Sequence, residues 1–131
     1  MKRCLTIVTA VYCFLSPIAA QAPPPRAIVL RTACRGGDCP LLTGPPQTAG
    51  MRSGYVRLQP GQSVGWHSTG KNEESLVILR GSGTAQIEGA DGLVFQAPQL
   101  VYIPPATRHN VQNTGAETLE YVYVVAPAPA R

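Results

Sequence analysis

The chain contains two histidines, His67 and His109, and a glutamate pair, Glu73 and Glu74, follows the first of them. His67, Glu73 and Glu74 all fall within the stretch GQSVGWHSTGKNEESLVILRG, residues 61–81. Two imidazoles and a carboxylate can hold a divalent cation and leave positions open for water, substrate or dioxygen. The same three groups can also form a hydrogen-bonded polar cluster without an ion, as in a barrel that has lost its metal. Side chains two residues apart on a strand point the same way. Thr69 therefore shares the face of His67, where it offers a short, neutral hydroxyl in place of a second imidazole. Glu74, Leu76 and Ile78 share one face of the next strand, and His109, Val111 and Asn113 share one face of a later strand. With those faces turned inward, His67, Glu74 and His109 meet near one end of an apolar cavity. Glu73 is the reserve ligand if the register slips by one residue.

The elements that must position these residues are short strands. The chain has 131 residues, 44% of them hydrophobic, and 13 Gly and 13 Pro supply abundant turn chemistry. From Arg52 onward, runs such as SGYVRL, SVGWHST, ESLVILR, GTAQIEG, LVFQA, LVYIP, HNVQN and TLEYVYVVA alternate with the turns QPGQ, RGSG, GADG, IPPAT and NTGAE. Such spacing calls for an all-β sandwich or barrel. The reading divides the chain into a signal peptide (1–20), a Pro-rich linker and disulfide-bearing arm (21–50), the barrel (51–126) and a Pro/Ala tail (127–131). Within the arm, APPPR is a stiff linker, AIVLRTA is a short strand, and PLLTGPPQTAG is turn-rich.

The first residues read as an export signal, which places the protein in the periplasm or outside the cell. A basic MKR precedes the apolar CLTIVTAVYCFLS, too short to span a bilayer comfortably, and PIAAQA supplies small residues for cleavage after Ala20. Stable membrane insertion is not expected. Cleavage removes Lys2 and Arg3, so the formal charge of +4 falls to about +2. No basic cluster with interleaved aromatics remains, which argues against nucleic acid as a partner. Cleavage also removes Cys4 and Cys13 and leaves Cys34 and Cys39 in CRGGDC. Gly36 and Gly37 let the chain reverse there, and a disulfide is the favoured reading in an oxidising compartment, over free thiols or a redox pair.

Residues 51 to 126 resemble the cupin superfamily of small jelly-roll barrels, which carries two motifs. The first, G-x5-H-x-H-x3,4-E-x6-G, is met at Gly61, His67, Glu74 and Gly81, with Thr69 where the second histidine belongs. The second, G-x5-P-x-G-x2-H-x3-N, is met at Pro104, His109 and Asn113, with Pro98 and Ala106 at its two glycine positions. The resemblance implies a single all-β jelly-roll barrel that holds a divalent ion (Mn, Fe, Zn or Ni) at His67, Glu74 and His109. It also implies a homodimer, in which the arm from Arg26 to Ala49 could extend across a partner's sheet. The functional readings are a small exported metalloenzyme acting on a small molecule, a non-catalytic module binding a sugar-like or polar ligand, and an inert barrel used for assembly.

Other residues receive secondary roles. Trp66 faces away from His67 and serves barrel packing or a dimer surface. Tyr121 and Tyr123 share one face of the last strand and either line the cavity mouth or pack the core. Arg57, Arg80 and Arg108 could meet an anionic ligand, although strand-end arginines are usually solvated. Asn113 ties a turn through its amide.

Overall fold

The computed structural model describes residues 23–129, so the segment read as a signal peptide lies outside the described residues. Eight strands run in chain order: β1 (Gly37–Thr43), β2 (Arg52–Leu58), β3 (Asn72–Arg80), β4 (Ser82–Ile87), β5 (Leu93–Gln96), β6 (Gln99–Ile103), β7 (His109–Gln112) and β8 (Leu119–Pro127). Among the described residues there is no helix, and none long and apolar enough to cross a membrane.

The strands form two antiparallel sheets, one of five strands in the order β1-β2-β8-β3-β6 and one of three in the order β5-β4-β7. Their inner faces enclose a core that includes Val56, Leu76, Ile78, Phe95, Ile103, Leu119 and Tyr121. The alternation read from the sequence is the burial pattern of β3: Glu74, Leu76 and Ile78 are buried while Val77 and Leu79 are exposed. One inner row of the large sheet runs in register through Thr43, Arg52, Val125, Glu74 and Ile103. That row sets Glu74 over the sheet beside the mouth of the barrel.

Three local readings differ from the structure. AIVLRTA forms no strand; Val29 is almost fully exposed, and a β-prone run without a neighbouring edge has nothing to pair with. The strand on this side lies later, running from the cysteine loop into the start of the segment read as turn-rich. There β1 pairs with β2 from Gly37↔Arg57 to Thr43↔Arg52, with a shift in register between Pro40 and Leu42. Proline is tolerated there because β1 is an edge strand. The β1 part of the arm thus lies on its own chain's sheet. Its start is closed by a Cys34–Cys39 disulfide with a Cα–Cα distance of 5.9 Å, inside the range that disulfides span.

SVGWHST is likewise a loop. Gly61, Gly65 and Gly70 adopt φ of 82°, 89° and 63°, and each left-handed step turns the chain out of an extended run. The loop nevertheless touches the small sheet through isolated antiparallel bridges, Ser63 to Gln112 and His67 to His109.

Candidate metal centre

The bridge between His67 and His109 is the positioning device. Each residue's amide donates to the other's carbonyl at 2.9 Å, so the two side chains leave the backbone side by side. Their ring centroids lie 4.3 Å apart with the planes tilted by 57°. His67 Nδ1 donates to the Gly65 carbonyl at 2.9 Å, and His109 Nδ1 donates to the Thr107 carbonyl at 3.2 Å. A carbonyl can only accept, so in each neutral ring the proton sits on Nδ1 and the lone pair on Nε2. Backbone carbonyls commonly orient metal-ligating histidines in this way.

Glu74 reaches the same point from β3. One donor atom from each of His67, Glu74 and His109 lies within 4.8 Å of the other two. Glu74 is 4% exposed and His109 is fully buried. His109 Nε2 and Glu74 Oε2 stand 3.3 Å apart but are misaligned for a hydrogen bond, and neither atom has another partner among the described residues. Buried polar atoms are seldom left unsatisfied, because desolvating them costs about 1–3 kcal/mol each. A cation between these atoms would satisfy both, so the residues present fit a divalent ion. Burial pushes the His109 imidazole toward a lower pKa. The Glu74 carboxylate and the Thr107 carbonyl outweigh it and hold His109 above the usual histidine value.

The group opens into a cavity of about 430 Å³. Val56, Val125 and Tyr123 of the large sheet, the loop residues Val64, Ser68 and Thr69, and Asp38, Pro40 and Leu42 of β1 line it. The volume sits near the lower end of small-molecule pockets, roughly 300–1,000 Å³.

A family model described as the cupin domain matches residues 54–125. The chain belongs to the cupin family. Solved cupins share its fold. A cupin from Methanocaldococcus jannaschii with a double-stranded β-helix fold is 20% identical, with a TM-score of 0.67 over 77% of this chain and 91% of that one. A Cupin 2 conserved barrel protein from Salinispora arenicola is 26% identical, with a TM-score of 0.60 over 82% of this chain and 92% of that one. Among curated proteins, an oxalate-binding protein of Thermotoga maritima is 31% identical over 70 residues. That match takes in 53% of this chain and spans only 57% of the relative's length.

The remaining residues of this cupin sort plainly. Thr69 lines the cavity, but its hydroxyl donates to the Asn72 carbonyl at 2.9 Å and so closes a turn. Glu73 points to the outer face, where its carboxylate accepts from the Tyr102 hydroxyl at 3.1 Å; the register has not slipped. Arg57, Arg80 and Arg108 are paired with Glu120, Glu117 and Glu88, away from the cavity. Trp66 is half exposed with the Arg108 guanidinium 5.6 Å from its ring centroid. Tyr121 belongs to the core, whereas Tyr123 lines the cavity. Asn113 is fully buried and donates to the carbonyls of Leu58 and Glu117 at 2.9 and 2.8 Å, which ties the turn after β7 to the end of β2.

Sequence reasoning did not single out Asp38 or Arg52, both of which line the cavity. Arg52 could have been found by extending the alternation of β2 to its first residue. Asp38 carried no such signal, because its place depends on a strand whose Gly and Pro content conceals it.

Proposed function

We propose that this cupin binds a divalent metal ion through His67 Nε2, His109 Nε2 and the Glu74 carboxylate, and presents the ion's open positions to a small polar ligand in the adjoining cavity. The supporting observation is the pair of buried, unsatisfied atoms, His109 Nε2 and Glu74 Oε2, facing each other at 3.3 Å. Two neutral imidazoles and a carboxylate suit Mn, Fe, Zn or Ni, and the three-donor set leaves coordination sites free. When bound, such an ion polarises a carboxylate or carbonyl oxygen. The name of the oxalate-binding relative fits a carboxylate-bearing ligand, for which Arg52 at the cavity supplies further positive charge. The chain's own part is to hold the imidazole tautomers, to exclude water from the floor of the site and to orient the ligand against the β1 wall.

A second reading, non-catalytic ligand binding, is favoured by Thr69, which replaces a donor and spends its proton on the Asn72 carbonyl. Turnover of a bound ligand separates an enzyme from a binding protein. In either case the protein functions outside the cytoplasm, in the periplasm or secreted, a placement supported by the Cys34–Cys39 disulfide. A homodimer fits the outer face of β3 and β6, where exposed Val77, Leu79 and Leu100 form an uncharged patch and Val77 pairs in register with Leu100. Light scattering of the wild type and of Leu100→Glu tests it, the variant being expected to run as a monomer.

Calorimetric titration with Mn²⁺ and Zn²⁺ tests the metal reading. Wild type should bind either ion with simple stoichiometry, and His109→Ala, which removes a donor outright, should abolish binding. Equal affinity in the two proteins would refute the assignment.

A further inference from the structure

The cavity carries a second polar pair, Asp38 on β1 and Tyr123 on β8, besides His67 and Glu74. Tyr123 lies flat against β2, because its partner in the register is Gly54: a Cβ at that position would meet the Tyr123 ring and hydroxyl at 2.5 Å. Glycine is required there by close approach, not by backbone angle. The ring consequently reaches across β2 to β1, where the Tyr123 hydroxyl donates to Asp38 Oδ2 at 3.5 Å. Asp38 is held by the residues on either side of it. Cys39 is tied into the disulfide, and Gly37, at φ of 75°, turns the chain into the strand. Burial and the Asp38 carboxylate together push the Tyr123 pKa up, which keeps the phenol protonated and donating.

The two polar groups make opposite demands on a ligand. A cation at His67, Glu74 and His109 favours an anionic or carbonyl oxygen. At Asp38 and Tyr123, the carboxylate only accepts, and the phenol oxygen, its O–H directed at Asp38, also accepts. Both therefore call for hydroxyl or amine donors. A plain diacid would set a second carboxylate against Asp38 and be repelled. An amine-bearing molecule would carry positive charge toward Arg52 and the ion. Thr43, Ser68 and Thr69 also line the cavity.

We propose that Asp38 and Tyr123 form a subsite for the hydroxyl groups of a polyhydroxylated carboxylic acid whose acid end is held at the His67–Glu74–His109 group. The placement of the acid end rests on the metal reading given above, whereas the hydroxyl subsite stands on β1 and β8 alone. It makes the disulfide-closed strand a determinant of ligand choice.

The test is calorimetry of the purified protein, with and without Mn²⁺, using D-gluconate and oxalate as probes and Asp38→Ala and Tyr123→Phe as variants. Expected is gluconate binding by the wild type that falls about tenfold in each variant, as for loss of a hydrogen bond to a charged group. Oxalate has no hydroxyl and should bind the variants no worse than the wild type. Unchanged Mn²⁺ affinity shows that the variants are folded. If Mn²⁺ binds but gluconate does not, or binds the Asp38→Ala variant equally, the subsite is refuted and the metal reading stands. If Mn²⁺ does not bind while gluconate still loses affinity in both variants, the subsite stands and the metal reading falls. Equal losses for oxalate and gluconate would mean a general disturbance of the cavity and would overturn the proposal.

Discussion

Replacing Ala106 by glycine should stabilise the protein. Ala106 occupies the second glycine position of the motif around His109 and adopts φ of 59°, the left-handed region. An L-residue with a Cβ pays about 1–2 kcal/mol for that conformation. Its side chain is exposed, so no packing is lost with the methyl group. The unfolded chain gains freedom when glycine is introduced, which costs about 0.4–1 kcal/mol. The difference leaves a net gain of about 0.5–1 kcal/mol, equivalent to roughly 2–6 °C in melting temperature for a domain of this size. The turn is worth stabilising, because the Ala106 amide donates to the Gly70 carbonyl at 2.6 Å and ties the His109 strand to the loop that carries His67. Differential scanning calorimetry of the metal-free protein is the assay. An unchanged or lowered melting temperature would show that the left-handed strain at Ala106 is not what the geometry implies.

Unreduced protein recovered from an oxidising compartment should resist alkylation at Cys34 and Cys39; full labelling of both by mass spectrometry would contradict the disulfide. Thr69→His should place a further imidazole at the cavity and tighten Mn²⁺ binding, whereas Thr69→Val should leave the ion bound but cost about 1 kcal/mol of stability for the lost bond to the Asn72 carbonyl; the reverse ordering of ion affinities would count against the site. Because the His109 pKa is raised in the folded state, the metal-free protein should carry its full His109 contribution below the unfolded value of about 6.5 and lose it as pH rises through the higher folded value. Glu74→Gln should flatten that decline in a plot of melting temperature against pH, and an unaltered slope would remove Glu74 as its cause.

The site was legible in the sequence where it rests on strand alternation and motif spacing. Glu74 faces inward because Leu76 and Ile78 do, and His109 is placed by the same logic with Val111 and Asn113. The approach of His67 to His109 was legible only as a convergence. The pairing that produces it is a bridge made by a glycine-broken loop, and alternation in SVGWHST imitated a strand. β1 was hidden for the opposite reason. Gly, Asp and Pro give it little strand propensity, and pairing with β2 and the disulfide override that preference. With β1 hidden, Asp38 had no face to be assigned to, so the β1 part of the cavity wall could not be anticipated. Tyr123 could not be separated from Tyr121 by pattern, since both lie on the inner face; Gly54 beside one and the core around the other decide their fates.

The central claim, an ion held by His67, Glu74 and His109, is tested most directly by elemental analysis of protein purified without chelator or a metal-binding tag. The expected result is about one equivalent of a divalent transition metal per chain in the wild type and none in His109→Ala. A wild type that carries no metal, and takes up none on dialysis against Mn²⁺, Fe²⁺, Zn²⁺ or Ni²⁺, would contradict it.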